Sequence, residues 1–277
     1  MAITLTYIMT IAANAMVITV VSFDSHLHTP MYFFLVNLAI IELLYTTAIT
    51  PNTLANLLNE DKRISFVGCF AQMFTFYILV GSECILLGIM AYDRYVAICQ
   101  PLLYTAIMNR SVCFYMIIIC WTIGFITSVV NTVLTATLPY CHDRLIRHYF
   151  CELPSLLKMS CKKTYINQLV VYFFGGGVLV GSFVLTLISY IFVIRAVIKI
   201  PSASGKKKTF STCSSHLLVV CIFFGTGILN YLRPSSKSFY NHMFSLVYAV
   251  VTPLINPLLY SFRNKDVQRA LRNILYH

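Results

Sequence analysis

Few side chains in this sequence could do chemistry, and most of them sit inside or at the ends of long apolar runs. Asp93 and Arg94, flanked by Tyr92 and Tyr95, close one such run shortly before Pro101, which an uninterrupted helix would not carry cheaply. Charge in hydrocarbon is costly, so this dipeptide belongs at a helix mouth, where each charge partly neutralises the other or Arg94 meets a polar group from elsewhere. Its plainest use would be an interfacial anchor for a helix end. Glu42 and Glu83 lie deeper, within two runs. Both should face the bundle interior and meet polar partners such as Asn14 or Asn256, either as hydrogen-bonded acids or as the ligands of a cation or proton site. His148, Cys151 and Glu152 are metal-ligand types, but a disulfide accounts for Cys151 more simply. Enzyme chemistry has no foothold: the sequence holds no Gly-rich phosphate loop, no His-Glu-x-x-His and no Gly-x-Ser-x-Gly.

The elements that must hold these groups are membrane helices. With 58% hydrophobic and 10% charged residues over 277 positions, the chain lacks the charge of a water-soluble globule, about 25%. Apolar runs fall at about 4–22, 31–57, 67–98, 112–133, 167–194, 209–231 and 240–262, and in hydrocarbon each must be a helix because its backbone has no water to bond. The expectation is an all-α membrane protein, a seven-helix bundle forming a single domain over 1–277. After Phe262, Val267, Ala270, Leu271 and Ile274 share one helical face with bases opposite, which predicts a short amphipathic helix on the membrane surface. The first run has neither a basic segment before it nor a convincing cleavage site after it, and reads as a retained helix.

The formal charge of +11 is spread over short loops, which points to a membrane surface and a cytoplasmic partner and away from nucleic acid. Placing Arg94 and the tail inside puts eleven bases against three acids there, and nine against four outside, a modest positive-inside bias. That makes the N-terminus extracellular and the C-terminus cytoplasmic. Four of the ten cysteines, Cys69, Cys141, Cys151 and Cys161, then fall on the oxidising side, where three pairings are open. Three of the four lie in the long 139–166 loop, which bridges would fix as a lid. In the last run, Pro253 and Pro257 each remove a backbone hydrogen bond, so a kink is expected, with Asn256 repairing freed carbonyls.

Met90-Ala-Tyr-Asp-Arg-Tyr-Val-Ala-Ile-Cys99 resembles the end of the third helix in odorant receptors, a family of class A (rhodopsin-like) G-protein-coupled receptors. Four further strings are similar to signatures of that family: Leu27-His-Thr-Pro-Met-Tyr-Phe-Phe-Leu35, Ser189-Tyr190, Lys208-Thr-Phe-Ser-Thr-Cys-Ser-Ser-His-Leu217, and Pro253 to Asn264. Their order and spacing match over nearly the whole chain. The resemblance implies a plasma-membrane receptor that binds a small volatile odorant and activates a stimulatory olfactory-type heterotrimeric G protein, raising cAMP. It implies that Asp93, Arg94 and Tyr95 form an inner-face switch with which Tyr190, Asn256, Pro257 and Tyr260 rearrange, and that Cys69 pairs with Cys151 and Cys141 with Cys161. By the same likeness the odorant would lie among Phe76, Tyr77, Val80, Gly81, Phe174, Val178, Phe224, Gly227 and Tyr231. These are apolar and aromatic with hydroxyls on Tyr77 and Tyr231, suited to a hydrophobic molecule with one polar group. Phe76 stands where amine receptors carry an aspartate, which disfavours a cationic amine. No lysine between Lys237 and Lys265 is available for a retinal Schiff base.

Three departures from the family pattern bear on function. Glu42 replaces the usual aspartate, which leaves a structural sodium ion at Glu42, Glu83 and Asn256 as the one cofactor to consider. Ala13 precedes Asn14 where glycine is usual. The chain begins almost at the first helix, and its one Asn-x-Ser/Thr match, Asn109-Arg110-Ser111, would be cytoplasmic, so a truncated or pseudogene product is an expectation. Two rival functions follow: a transporter or channel with Glu42 and Glu83 lining an ion path, or a receptor fold that does not signal.

Overall fold

The computed structural model describes residues 2–58, 63–141, 146, 150–232, 251–262 and 265–275. Its elements are α1 (Ala2–Phe23), a 3-10 turn (Ser25–Leu27), α2 (Pro30–Leu58), α3 (Phe66–Cys99), α4 (Tyr104–Ile107), α5 (Arg110–Ala136), α6 (Leu153–Lys158), α7 (Tyr165–Lys199), α8 (Ala203–Leu232), α9 (Thr252–Phe262) and α10 (Lys265–Leu275). Helices α1, α2, α3, α5 and α7 are long and apolar enough to cross a membrane, and α8 carries a shorter apolar stretch, Cys213–Ile228. Residues 240–250 of the last expected span lie outside the described set; from Thr252 onward that span is helix α9. The fold is an all-α membrane bundle.

Helix α3 is the axis: 72% of its most apolar stretch is buried, against 22% for α1. Ser65 caps its start by accepting from Gly68 N (3.0 Å), and Asn109 caps α5 by accepting from Val112 N (3.0 Å). Lipid tails are as apolar as Leu, so helix association relies on close packing and polar cross-links. Both occur where α3 meets α5. A Cβ at Gly81 would lie 3.2 Å from Gly124 Cα, Cys120 Sγ donates to Ser82 O (3.0 Å), and Ser128 Oγ donates to Phe74 O (2.6 Å).

Helix α8 begins earlier than its apolar run and takes in Lys206 and Lys207. Lysine is a good helix former, and no proline intervenes between Pro201 and the membrane stretch, so the helix runs on past the apolar segment. A carbonyl that Pro257 frees in α9 is answered differently from expectation. Pro257 has no N–H to give the carbonyl four residues back, and it is Asn14 Nδ2 of α1 that donates to Pro253 O (3.2 Å). Asn256 turns inward instead. In α10, Val267 and Ala270 are buried while Arg269 and Arg272 are exposed, as its amphipathic pattern requires.

Candidate functional site

Three groups of side chains line up along α3. At the end near Ser65, Phe76 stands at the centre of an aromatic cluster, its ring centroid 5.6 Å from Tyr45, 5.1 Å from Tyr77 and 5.0 Å from Phe150. Phe150 comes from the described part of the long loop, next to the Cys151 that bonds to α3. Cys69 and Cys151 are joined with their Cα atoms 5.4 Å apart, and Cys141 and Cys161 with theirs 5.6 Å apart. Gln72 ties the lid to the bundle: its Oε1 accepts from Cys151 N (3.1 Å) and its Nε2 donates to Ala48 O (3.0 Å), one turn before Pro51 of α2. Burial pushes the Glu152 carboxyl up to about 7, against the opposing pull of a hydrogen bond from Ser155 and the charge of Lys158.

The odorant-facing residues implied by the resemblance do not all converge on this cluster. Phe224 is buried against Phe183 (5.4 Å) and Phe223 (5.4 Å), Val80 and Val178 are half-buried, and Gly227 faces Leu179, 3.6 Å from where its Cβ would stand. Gly81 stands where α5 approaches α3, since a Cβ there would lie 3.2 Å from Gly124 Cα. Phe174 is 39% exposed, its ring against Phe173. Around it, a Cβ at Gly175, Gly176 or Gly177 would meet nothing within 4 Å among the described residues, so this part of α7 stands clear of them. The side chains of Tyr231 and Tyr260 lie outside the described set.

Midway along α3, Asn256 Nδ2 donates to Glu42 Oε1 and, at 3.5 Å, to Glu83 Oε1. All three residues are buried, and among the described residues Glu42 Oε2 and Asn256 Oδ1 have no hydrogen-bond partner. Two carboxyls and an amide oxygen with free lone pairs are the donor set of a hard cation such as sodium. These donor types suit that ion.

At the far end, Asp93 is buried and accepts a hydrogen bond from Tyr104 Oη (2.8 Å), and among the described residues neither Asp93 nor Arg94 forms an ion pair. Neighbours on a helix point about 100° apart, so the two side chains do not meet directly; the Arg94 charge still acts on the Asp93 carboxyl, and its hydrogen bond comes from α4. Burial, reinforced by the Asp93 charge, raises the Tyr104 hydroxyl above its ordinary value, so it remains a neutral donor. Tyr95 accepts from Gln100 Nε2 (3.2 Å) and packs on Phe192 of α7 (5.7 Å). Tyr190 of α7 stacks on His216 of α8 (5.6 Å), with 2.6 Å between its Oη and His216 Nδ1, and donates to Cys213 O (3.3 Å).

Sequence reasoning missed Tyr45, Gln72, Tyr104 and His216 as members of these groups. His216 sits within one of the strings that carry the family likeness, and Tyr104 lies five residues beyond another, so position was available as a signal; Tyr45 and Gln72 offered none. The metal-type trio divides: Cys151 is spent on a disulfide, and His148 lies outside the described residues. Among the described residues no group of three His, Cys, Asp or Glu side chains is placed to hold a metal ion.

A lidded aromatic cluster, a buried polar triad and a hydrogen-bonded far end, strung on one central helix, make up the fabric of a seven-helix membrane receptor. The sequence profile described as olfactory receptor matches residues 3–277. The chain is 46% identical over 272 residues to olfactory receptor-like protein COR5 of Gallus gallus, covering 97% of this chain and 87% of that one. It is 43% identical to olfactory receptor 5AP2 of Mus musculus (98% and 86% covered) and 43% identical to olfactory receptor 8I2 of Homo sapiens (98% and 87% covered). The chain belongs to the olfactory receptor family. It is therefore an odorant receptor of the G-protein-coupled class, a multi-pass plasma-membrane protein and not an enzyme, and its partners are, at the level of the family, odorants and G proteins.

Proposed function

We propose that this receptor, as a single domain with its N-terminus outside and its C-terminus in the cytoplasm, binds a small, mostly apolar volatile molecule. Binding converts to nucleotide exchange on a stimulatory G protein and raises cAMP. The observation that carries this reading is the alignment of all three groups on α3, from Phe76 through Glu83 to Asp93. A ligand pressing on the aromatic cluster meets Phe76 and Tyr77, and through Phe150 it meets the disulfide-held lid. Ligand shifts the equilibrium only by preferring one arrangement of the helices, and α3 gives each group the same lever. Phe76, Tyr77, Val80, Gly81, Phe174, Val178, Phe224, Gly227 and Tyr231 would form or shape the ligand site. Asp93, Arg94, Tyr95, Tyr190, Asn256, Pro257 and Tyr260 would form the switch.

Glu42, Glu83 and Asn256 would hold a sodium ion, which supplies a positive charge that keeps both carboxyls ionised. Asn256 positions the two acids toward a common point, and the burial of all three keeps water out. Replacing choline by sodium should then raise the unfolding temperature of the purified chain, and Glu42→Gln should abolish that rise; an equal rise in the variant would remove the ion from the site.

The direct test is cAMP in cells where surface labelling shows the receptor at the plasma membrane, challenged with a panel of small volatile compounds. The expected result is a ligand-dependent rise that vanishes when the stimulatory α-subunit is deleted and in Arg94→Ala at equal surface level. A rise that survives either change overturns the coupling. Current or uptake without any G protein would instead favour an ion path through Glu42 and Glu83.

A further inference from the structure

We propose that the groove between the start of α2, the start of α5 and the short helix α4 binds one anionic phospholipid. The groove is a cavity of about 840 Å³. Phe33 and Val36 of α2 and Phe114 of α5 give it an apolar wall suited to an acyl chain. Its rim carries His28 and Arg110, and no carboxylate is among the residues lining it. Helices α2 and α5 both begin at this rim, with Pro30 and Arg110 as their first residues, so the positive ends of two helix dipoles add to the guanidinium. Asn109 also lines the groove, but its amide is already spent on Val112 N and Ala106 O. Arg110 is exposed and forms no ion pair among the described residues, which leaves it free for a phosphate. A basic rim over an apolar slot between membrane helices is the complement of a phosphate-bearing lipid, whose head and tail have the same two characters.

The groove has a path to the far end of α3. Tyr104 lines it and donates to Asp93 Oδ1. A lipid seated against the Tyr104 ring holds that hydroxyl on Asp93 and so steadies the inner face. This consequence rests on the role proposed for Asp93; the binding itself does not.

The experiment is native mass spectrometry of the purified full chain in detergent, with palmitoyl-oleoyl phosphatidic acid against palmitoyl-oleoyl phosphatidylcholine. The expected spectrum shows one retained phosphatidic acid, favoured roughly fivefold or more over phosphatidylcholine. Arg110→Gln should lose that preference and Arg110→Lys keep most of it. Val36→Trp, which fills the slot and leaves every charge in place, should lose retention, whereas Arg195→Gln, at an exposed position of α7, should change nothing. Equal retention of the two lipids, unchanged retention in Val36→Trp, or an Arg195→Gln loss as large as that of Arg110→Gln overturns the proposal. Because the readout involves no G protein, it stands or falls apart from the signalling reading.

Discussion

Asp93 is a buried carboxyl whose hydrogen bond comes from Tyr104, eleven residues along the chain. Removing one partner from a buried polar pair leaves the other to bear its desolvation, about 1–3 kcal/mol and more for a charge. Tyr104→Phe keeps the ring and deletes only the hydroxyl. The expected outcome is a several-fold rise in ligand-independent cAMP at comparable surface level, read in the same cells used for odorant responses; basal cAMP equal to wild type would remove Tyr104 from the switch. Tyr190 and His216 invite a parallel reading, since one short contact and a stacked ring pair tie α7 to α8 at the same end. Neither bond could be assigned from residue types, because tyrosine and histidine are equally at home in ordinary packing.

Between elements, the crossing of α3 and α5 depends on the absence of side chains. A Cβ at Gly124 would fall against Ser82 Oγ and 2.7 Å from Ile78 O, a backbone atom that cannot swing aside. Gly124→Ala should therefore destabilise the bundle by about 1–3 kcal/mol despite alanine's better helix propensity. Gly175→Ala, with open space around its Cβ among the described residues, should be neutral or gain up to about 1 kcal/mol. Thermal unfolding of the two purified variants separates the cases. The lid element has its own pH dependence through Glu152. Its folded form holds its proton up to about 7, whereas the unfolded chain releases it near the ordinary 4.5. This group's contribution to stability is thus full below 4.5 and fades as pH rises through 7. Protease cleavage of the 150–164 segment should become faster from pH 5.5 to 7.5 in the wild type, and Glu152→Gln should flatten that slope.

For the molecule as a whole, the two disulfides constrain very different lengths of chain. Cys69 and Cys151 are separated by 82 positions and link the lid to α3, whereas Cys141 and Cys161 are separated by 20 within the loop. Chain-entropy reasoning gives the longer closure about 1 kcal/mol more stabilisation. It also holds Phe150 over Phe76, so Cys69→Ser with Cys151→Ser should depress both the unfolding temperature and the odorant response. Cys141→Ser with Cys161→Ser should lower the temperature less. The comparison is made by thermal unfolding and by dose–response at matched surface level; equal losses would mean that the lid is held by its packing, including Leu153 and Leu156, and not by its bridge.

The sequence by itself determined the class of molecule. Seven apolar runs of spanning length must be helices because hydrocarbon offers the backbone no partner, and this requirement is local, readable from each run alone. The tail was legible for the same reason: the period that puts Val267 and Ala270 on one face lies within a dozen residues. Tertiary structure decided the pairings. That Asn14 and not Asn256 answers the carbonyl freed by Pro257 depends on contact between residues 239 positions apart. That Gly81 serves a helix crossing, and Phe174 an exposed face, depends on how α3 and α7 are rotated about their axes. In an apolar helix nearly every face is hydrophobic, so the pattern that fixes rotation in water-soluble proteins is weak here. Close approach of small residues and a few buried hydrogen bonds set it instead, and these exist only once the helices have met.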